Sequence, residues 1–259
     1  MHYEKLANLT FYILAIIASL IMVMGVVSMV HIWRLGKAPT LNRNINGRQW
    51  TNALLKASFF ETQILEYSFV AWLAHIMIFW GFISLLLLTS FHFIMNWLIP
   101  STSTFFTYFN SGDGNLFLAV WGDFWGLIML AGTVIALIRR YIVRPEIVST
   151  ISSDSIAIWF LFILTVSGFL CEAVRITVYP NAVDAGYSFA VKWLVPFLDN
   201  FHLTSTSLKY IFWVHSILSL MFIAYIPFSK FRHIFASPLD FAFVTSGERY
   251  SKMGWIKKR

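Results

Sequence analysis

The stretch WVHSILSLMFIAYIPFSKFRHIF (Trp213–Phe235) decides how this chain is read. It has no acidic residue and no Lys or Arg before Lys230. Extended back to about 209, it is long enough to cross a hydrocarbon core, which takes about 20 residues of helix. His215 lies inside it, and His233 lies where it meets Lys230 and Arg232. An ionisable side chain at membrane depth is costly, so each such histidine is a functional candidate by default.

The rest of the chain repeats the pattern. Of 259 residues 58% are hydrophobic and only 12% charged, which excludes an ordinary soluble domain. Five apolar runs, at about 9–33, 69–98, 116–138, 156–176 and 209–231, predict an all-α integral membrane protein, a bundle of five transmembrane helices. One membrane domain over 1–238 is expected, with a cytoplasmic basic tail over 239–259. The first run is too long for a signal-peptide core and no small-residue cleavage site follows it, so it is expected to be a retained helix. The single Cys171 excludes a disulfide framework, a cysteine-ligated iron–sulfur cluster and a CxxCH haem attachment within the chain.

Basic residues set the expected orientation, because short cytoplasmic loops are enriched in them. Arg34, Lys37, Arg43, Arg48 and Lys56, then Arg139, Arg140 and Arg144, then the basic tail all fall on one side. Lys5, Arg175, Lys192 and Lys209 fall on the other. The N-terminus is therefore expected outside and the C-terminus in the cytoplasm, in the cell membrane. The net charge of +7 follows from this topology, and nucleic acid is not needed to explain it. Two connecting segments are long enough to carry structure: Thr40–Glu66, amphipathic and cytoplasmic, and Tyr179–Leu208, expected as a re-entrant or interfacial loop.

Four histidines lie at membrane depth. His215 and His233 are eighteen residues apart, about 27 Å along an unbroken helix and on one face. His75 and His92, in the antiparallel second span, are seventeen apart, about 25 Å. The depths match in two layers, His75 opposite His233 and His92 opposite His215. Paired imidazoles on facing helices suit a haem iron, which takes one axial nitrogen from each side. Seventeen residues leave His92 about 100° from the His75 face unless that helix bends, and Gly81 could permit a bend. Otherwise His215 binds its iron alone or pairs with His202.

These residues carry a family resemblance. Trp213–Phe235 resembles the fifth helix of the cytochrome b gamma subunit of respiratory nitrate reductase, and GDFWGLIMLAGTVIALIRRYIVRP (Gly122–Pro145) resembles the third helix of that superfamily. HIMIFWGF (His75–Phe82) and GFLCEAVRI (Gly168–Ile176) are more similar to the branch with the membrane subunits of heterodisulfide reductase and of the sulfite-reductase-associated complex. The resemblance implies a b-type cytochrome that exchanges electrons between the quinone pool (menaquinone, another quinone, or methanophenazine) and a cytoplasmic iron–sulfur subunit of heterodisulfide-reductase type. It would be an electron-transfer subunit of an oxidoreductase complex rather than a complete enzyme. His75 and His233 match the ligands of the inner haem b, and His215 matches one ligand of the outer haem. Where nitrate reductase has its other outer ligand, ten residues after the first, this chain has Leu85, and His92 is the only later histidine of that span.

Quinone chemistry also moves protons. Asp123, Glu172 and Arg175 lie at the outer depth and are candidates for that role or for holding a haem propionate; Glu172 and Arg175, three apart, can pair on one helix face. Arg139 and Arg140 are propionate or docking candidates on the inner side. A one-haem or high-spin variant is the alternative within the class. Outside it stand a proton-relaying transporter and a cofactor-free membrane anchor; no inverted repeat supports the former.

Overall fold

The computed structural model describes residues 2–35, 51, 55, 59–144 and 152–237. The tail over 239–259 and most of the 40–66 segment lie outside the described residues. In chain order the helices are α1 (His2–Leu35), α2 (Thr62–Tyr67), α3 (Phe69–Trp97), α4 (Thr104–Ser111), α5 (Asp113–Ile138), α6 (Ser152–Val178), α7 (Val195–Leu198) and α8 (Ser205–Tyr225). No strand occurs among the described residues. Five segments are long and apolar enough to cross a membrane: Leu9–Ile32, Phe69–Trp97, Asp113–Val143, Asp154–Val178 and Ser205–Phe228. The five-helix, all-α expectation is met.

The surface of these helices explains why. Leu87, Phe124, Ile163 and Val214, all well inside spans, are 62%, 50%, 48% and 57% exposed. A water-soluble monomer does not leave continuous apolar faces of this kind bare. In hydrocarbon they cost nothing, and the helical backbone satisfies its own polar groups.

The chain divides into two compact units whose boundaries fall inside α3 and α8. The larger, Leu73–Ser219, is held by small residues at helix contacts. A Cβ on Gly81 of α3 would fall 2.6 Å from Met129 Cβ of α5, and one on Gly132 of α5 would fall 2.8 Å from Met77 Cβ and 3.0 Å from the Ala74 carbonyl oxygen. Gly126 of α5 meets the Phe169 ring of α6 in the same way. Without a hydrophobic force between helices in lipid, such close approach supplies the association energy. Gly81 of α3 thus serves a close contact, and α3 runs as one helix over Phe69–Trp97; at a regular period of about 3.6 residues His75 and His92 differ in phase by about 100°. Replacing Gly81 by Leu is expected to lower the melting temperature in detergent, overpacking costing about 1–3 kcal/mol. An unchanged melt would show that the helices can part without loss.

Between α6 and α8 the chain packs back on the unit. Ala173, Val174 and Ile176 of α6 form a buried cluster with Ala185, Val191 and Leu198 of the connecting segment. Tyr179–Leu208, hereafter the capping loop, carries structure as expected, with turns, then α7 and a 3₁₀ turn at Asp199–Phe201.

The smaller unit holds α1 and the segment after Leu220. Here α8 ends at Tyr225, earlier than the sequence predicts, and two 3₁₀ turns follow, Ile226–Phe228 and Lys230–Arg232. Pro227 supplies no amide hydrogen, which stops the α-helical ladder. Its ring is packed against Gly25 of α1. Ser229 is extended and restarts the chain by accepting a hydrogen bond from Phe231 N on its side chain, 3.1 Å. The equal-face relation of His215 and His233 assumed an unbroken helix, and the chain interrupts it at this point.

Candidate functional site

His215 stands ten residues into α8, about 15 Å from its first residue and so near the middle of a helix long enough to cross a hydrocarbon core. It is half-buried against α6. Its Nδ1 lies 2.9 Å from Ser167 Oγ, and Ser167 stands eleven residues before the end of α6, at matching depth. Gly168 leaves room for the ring, since a Cβ there would fall 3.2 Å from His215 Cε1. On the other side of the imidazole, Nε2 is 3.5 Å from Ser219 Oγ, while that hydroxyl donates to the His215 carbonyl at 2.8 Å.

The other histidines differ in setting. His75 is half-buried six residues into α3, and His31 is exposed near the end of α1. His92 is exposed, five residues before the end of α3, with Nδ1 2.9 Å from Leu88 O. It is thus about 7.5 Å nearer its helix end than His215 is to the start of α8, and its hydrogen bonds stay within α3. His202, also exposed, caps a 3₁₀ turn in the left-handed conformation at φ 48°. His233 is exposed, with Nδ1 2.6 Å from Lys230 O. A carbonyl oxygen can only accept, so at His92 and His233 Nδ1 is the donor and Nε2 of a neutral ring is the basic nitrogen.

The three acid–base candidates converge on the capping loop. Asp123, ten residues into α5, is buried, and its Oδ2 accepts from Ala190 N at 2.8 Å. Arg175 sits between two carboxylates: Nε and Nη2 donate to Glu172 Oε2 and Oε1 at 2.9 and 2.8 Å, Nη1 and Nη2 to Asp184 Oδ1 and Oδ2 at 3.2 and 2.8 Å. Ser188, fully buried, donates to Glu172 Oε1 at 2.7 Å. The expected Glu172–Arg175 pair therefore exists. Asp184 and Ser188 complete it, and nothing in their local sequence marks them.

At the opposite end of α5 a π-helical turn, Arg139–Val143, follows the α-helix. Arg140 is buried, with Nη2 3.3 Å from Asp154 Oδ2 in the first turn of α6; Arg139 is half-buried. Nearby the Trp159 indole donates to Tyr141 Oη at 3.1 Å, an aromatic pair of the kind that collects at a membrane–water boundary.

The donor chemistry at His215 suits a haem iron. Axial histidines hold Nδ1 in a hydrogen bond and offer Nε2 to the metal, and a helix without a Cβ at the facing position gives the ring space. Among the described residues no group of three or more His, Cys, Asp or Glu side chains could hold a metal ion.

Comparison with known proteins gives the family. The profile of HdrE, a component of dihydromethanophenazine:CoB--CoM heterodisulfide reductase, matches residues 52–241. The same component of that reductase from Methanosarcina acetivorans is 30% identical over 206 residues, covering 78% of this chain and 69% of the relative. Its namesake from Methanosarcina mazei is 28% identical over 204 residues, covering 78% and 71%. An EtfAB:quinone oxidoreductase from Syntrophomonas wolfei subsp. wolfei is 25% identical over 253 residues, 90% of this chain but 33% of that protein. No solved structure matches. With the profile spanning most of its length and four of the five spans, the chain belongs to the HdrE family of heterodisulfide reductase components.

Proposed function

We propose that this chain is a b-type cytochrome subunit of a membrane oxidoreductase complex, carrying electrons between a membrane quinone or methanophenazine and a cytoplasmic iron–sulfur subunit of heterodisulfide-reductase type. The observation that carries the proposal is His215, an imidazole near the middle of a membrane-length helix and held through Nδ1 by Ser167. The names of the relatives support the electron-carrier and complex assignments. In this proposal the N-terminus is outside, and the membrane domain extends to about 238 with a cytoplasmic tail beyond.

When bound, the haems supply one-electron chemistry. His215 is proposed to hold the outer one, with His92 as its second ligand; His75 and His233 are assigned to the inner one on sequence and family motif. Asp123, Glu172 and Arg175 mark the quinone end, where Asp123 and Glu172 are the groups able to accept protons and the loop they hold excludes water. Arg139 and Arg140 are proposed for propionates on the cytoplasmic side, as the basic residues that follow α5.

A reduced-minus-oxidised spectrum of the purified protein is expected to show a b-type α band. Its absence would leave the cofactor-free anchor or the proton relay. A second reading within the class, a five-coordinate high-spin outer haem held by His215 alone, is favoured by the exposed, shallow position of His92. His92→Ala separates the two: conversion of one low-spin haem to high spin places His92 in the ligand set, and an unchanged spectrum takes it out.

A further inference from the structure

The hydroxyls around His215 point to a fixed tautomer, and from them we infer that Ser167 is a positioning residue that sets the redox potential of the group His215 binds. The inference rests on His215 being a haem ligand, as proposed above. Two hydrogen-bond arrangements fit the atoms. In the first, Ser167 Oγ donates to Leu164 O at 2.9 Å and accepts from His215 Nδ1–H at 2.9 Å, while Ser219 donates to His215 O at 2.8 Å. Every bond is then of ordinary length, and Nε2 carries an unshared pair with no hydrogen aimed at it. In the second, Ser167 donates to Nδ1, and Nε2 bears the hydrogen. Its one acceptor is then Ser219 Oγ at 3.5 Å, beyond the usual 2.7–3.2 Å range for N–H···O. A half-buried N–H left without a good acceptor costs about 1–3 kcal/mol. The first arrangement wins, and it presents Nε2 as a ligand nitrogen.

The consequence is electronic. An oxygen accepting from Nδ1–H gives the ring partial imidazolate character and raises its basicity toward iron. The ferric state, which carries the extra positive charge, gains more from this than the ferrous state. Ser167 therefore lowers the potential. Because its hydrogen is directed at its own helix, Ser167 does this as an acceptor, which a valine or alanine cannot imitate.

The test is a potentiometric titration of the full chain, followed at the α band. The component that disappears in His215→Ala is assigned to this site. Ser167→Ala is expected to lower its ferric-to-ferrous ratio at a fixed potential by about tenfold, a rise of 59 mV for one electron. Ser167→Thr, which keeps the hydroxyl, is expected to stay at the native potential. A native potential in Ser167→Ala overturns the inference while leaving the cytochrome proposal intact. Loss of the haem from Ser167→Ala with retention in Ser167→Thr supports it as the same positioning carried further. Loss from both overturns it, marking Ser167 as a packing residue. Absence of any b-type band in the unaltered chain overturns the cytochrome proposal first.

Discussion

His215→Ala is expected to remove the b-type haem proposed for this site, halving the pyridine haemochrome per polypeptide if two are bound, and to leave the helical circular dichroism in place. The physical ground is the setting of the ring. It lies about 15 Å from the helix start, beside a glycine and two serines, where no second histidine appears among its hydrogen-bond partners. Removing it leaves Ser167 bonded to Leu164 O and Ser219 able to donate to the residue 215 carbonyl, so no polar group is orphaned by the change. The loss is thus chemical rather than structural. A proton-relaying histidine would behave differently: the same variant would abolish proton movement without altering any visible band. A full haem complement in His215→Ala would overturn the assignment of this residue as a ligand.

Arg175→Gln strikes the fold instead. The guanidinium is bidentate to both Glu172 and Asp184, and all three side chains are mostly shielded, at 29%, 28% and 18% exposure. Taking away the cation leaves two carboxylates facing each other across the gap, with Ser188 the one remaining donor to Glu172. Removing one partner of a buried ion pair costs about 3–5 kcal/mol; with water reaching the edge of this cluster roughly 3 kcal/mol is expected. The melting temperature should fall by several degrees, and proteolysis should begin within the capping loop near Asp184. Glu172→Gln combined with Arg175→Gln should recover part of the loss, because it removes one of the stranded charges. If the single variant melts like the parent, the cluster is a surface feature and does not hold the loop.

Much of the architecture was legible because lipid imposes one rule, that a crossing segment be apolar and helical. The five runs follow from it, and the structure moves their ends by a few residues. Asp113 opens α5 in its first turn, and the π turn extends the third span to Val143. The Glu172–Arg175 pair was legible too, since three residues of helix bring the side chains together. What no local pattern could give is the partner across the bundle. Ser167 and His215 are 48 residues apart, and Asp123 reaches Ala190 over 67. Nor did hydropathy periodicity reveal the break after Tyr225, for which Pro227 is the local signal; the packing of its ring against Gly25 is the part no local pattern gives. The short helix α4 is too short to stand out in hydropathy although its start carries a signal. Ser103 accepts from Phe106 N at 3.1 Å, the N-cap arrangement that STSTFF spells out.

The glycines at the α3–α5 contact have a consequence for temperature. Folding in water gains from hiding apolar surface from the solvent, and that gain carries a large heat-capacity change and a stability maximum. Gly81 and Gly132 bring backbone against side chain in surroundings that are oily whether the helices touch or not. Parting them exposes hydrocarbon to hydrocarbon, so the heat-capacity change is small. The affinity of α3 for α5 should decline almost linearly with warming and have no cold limit, which leaves the bundle interior tightest in a cold membrane.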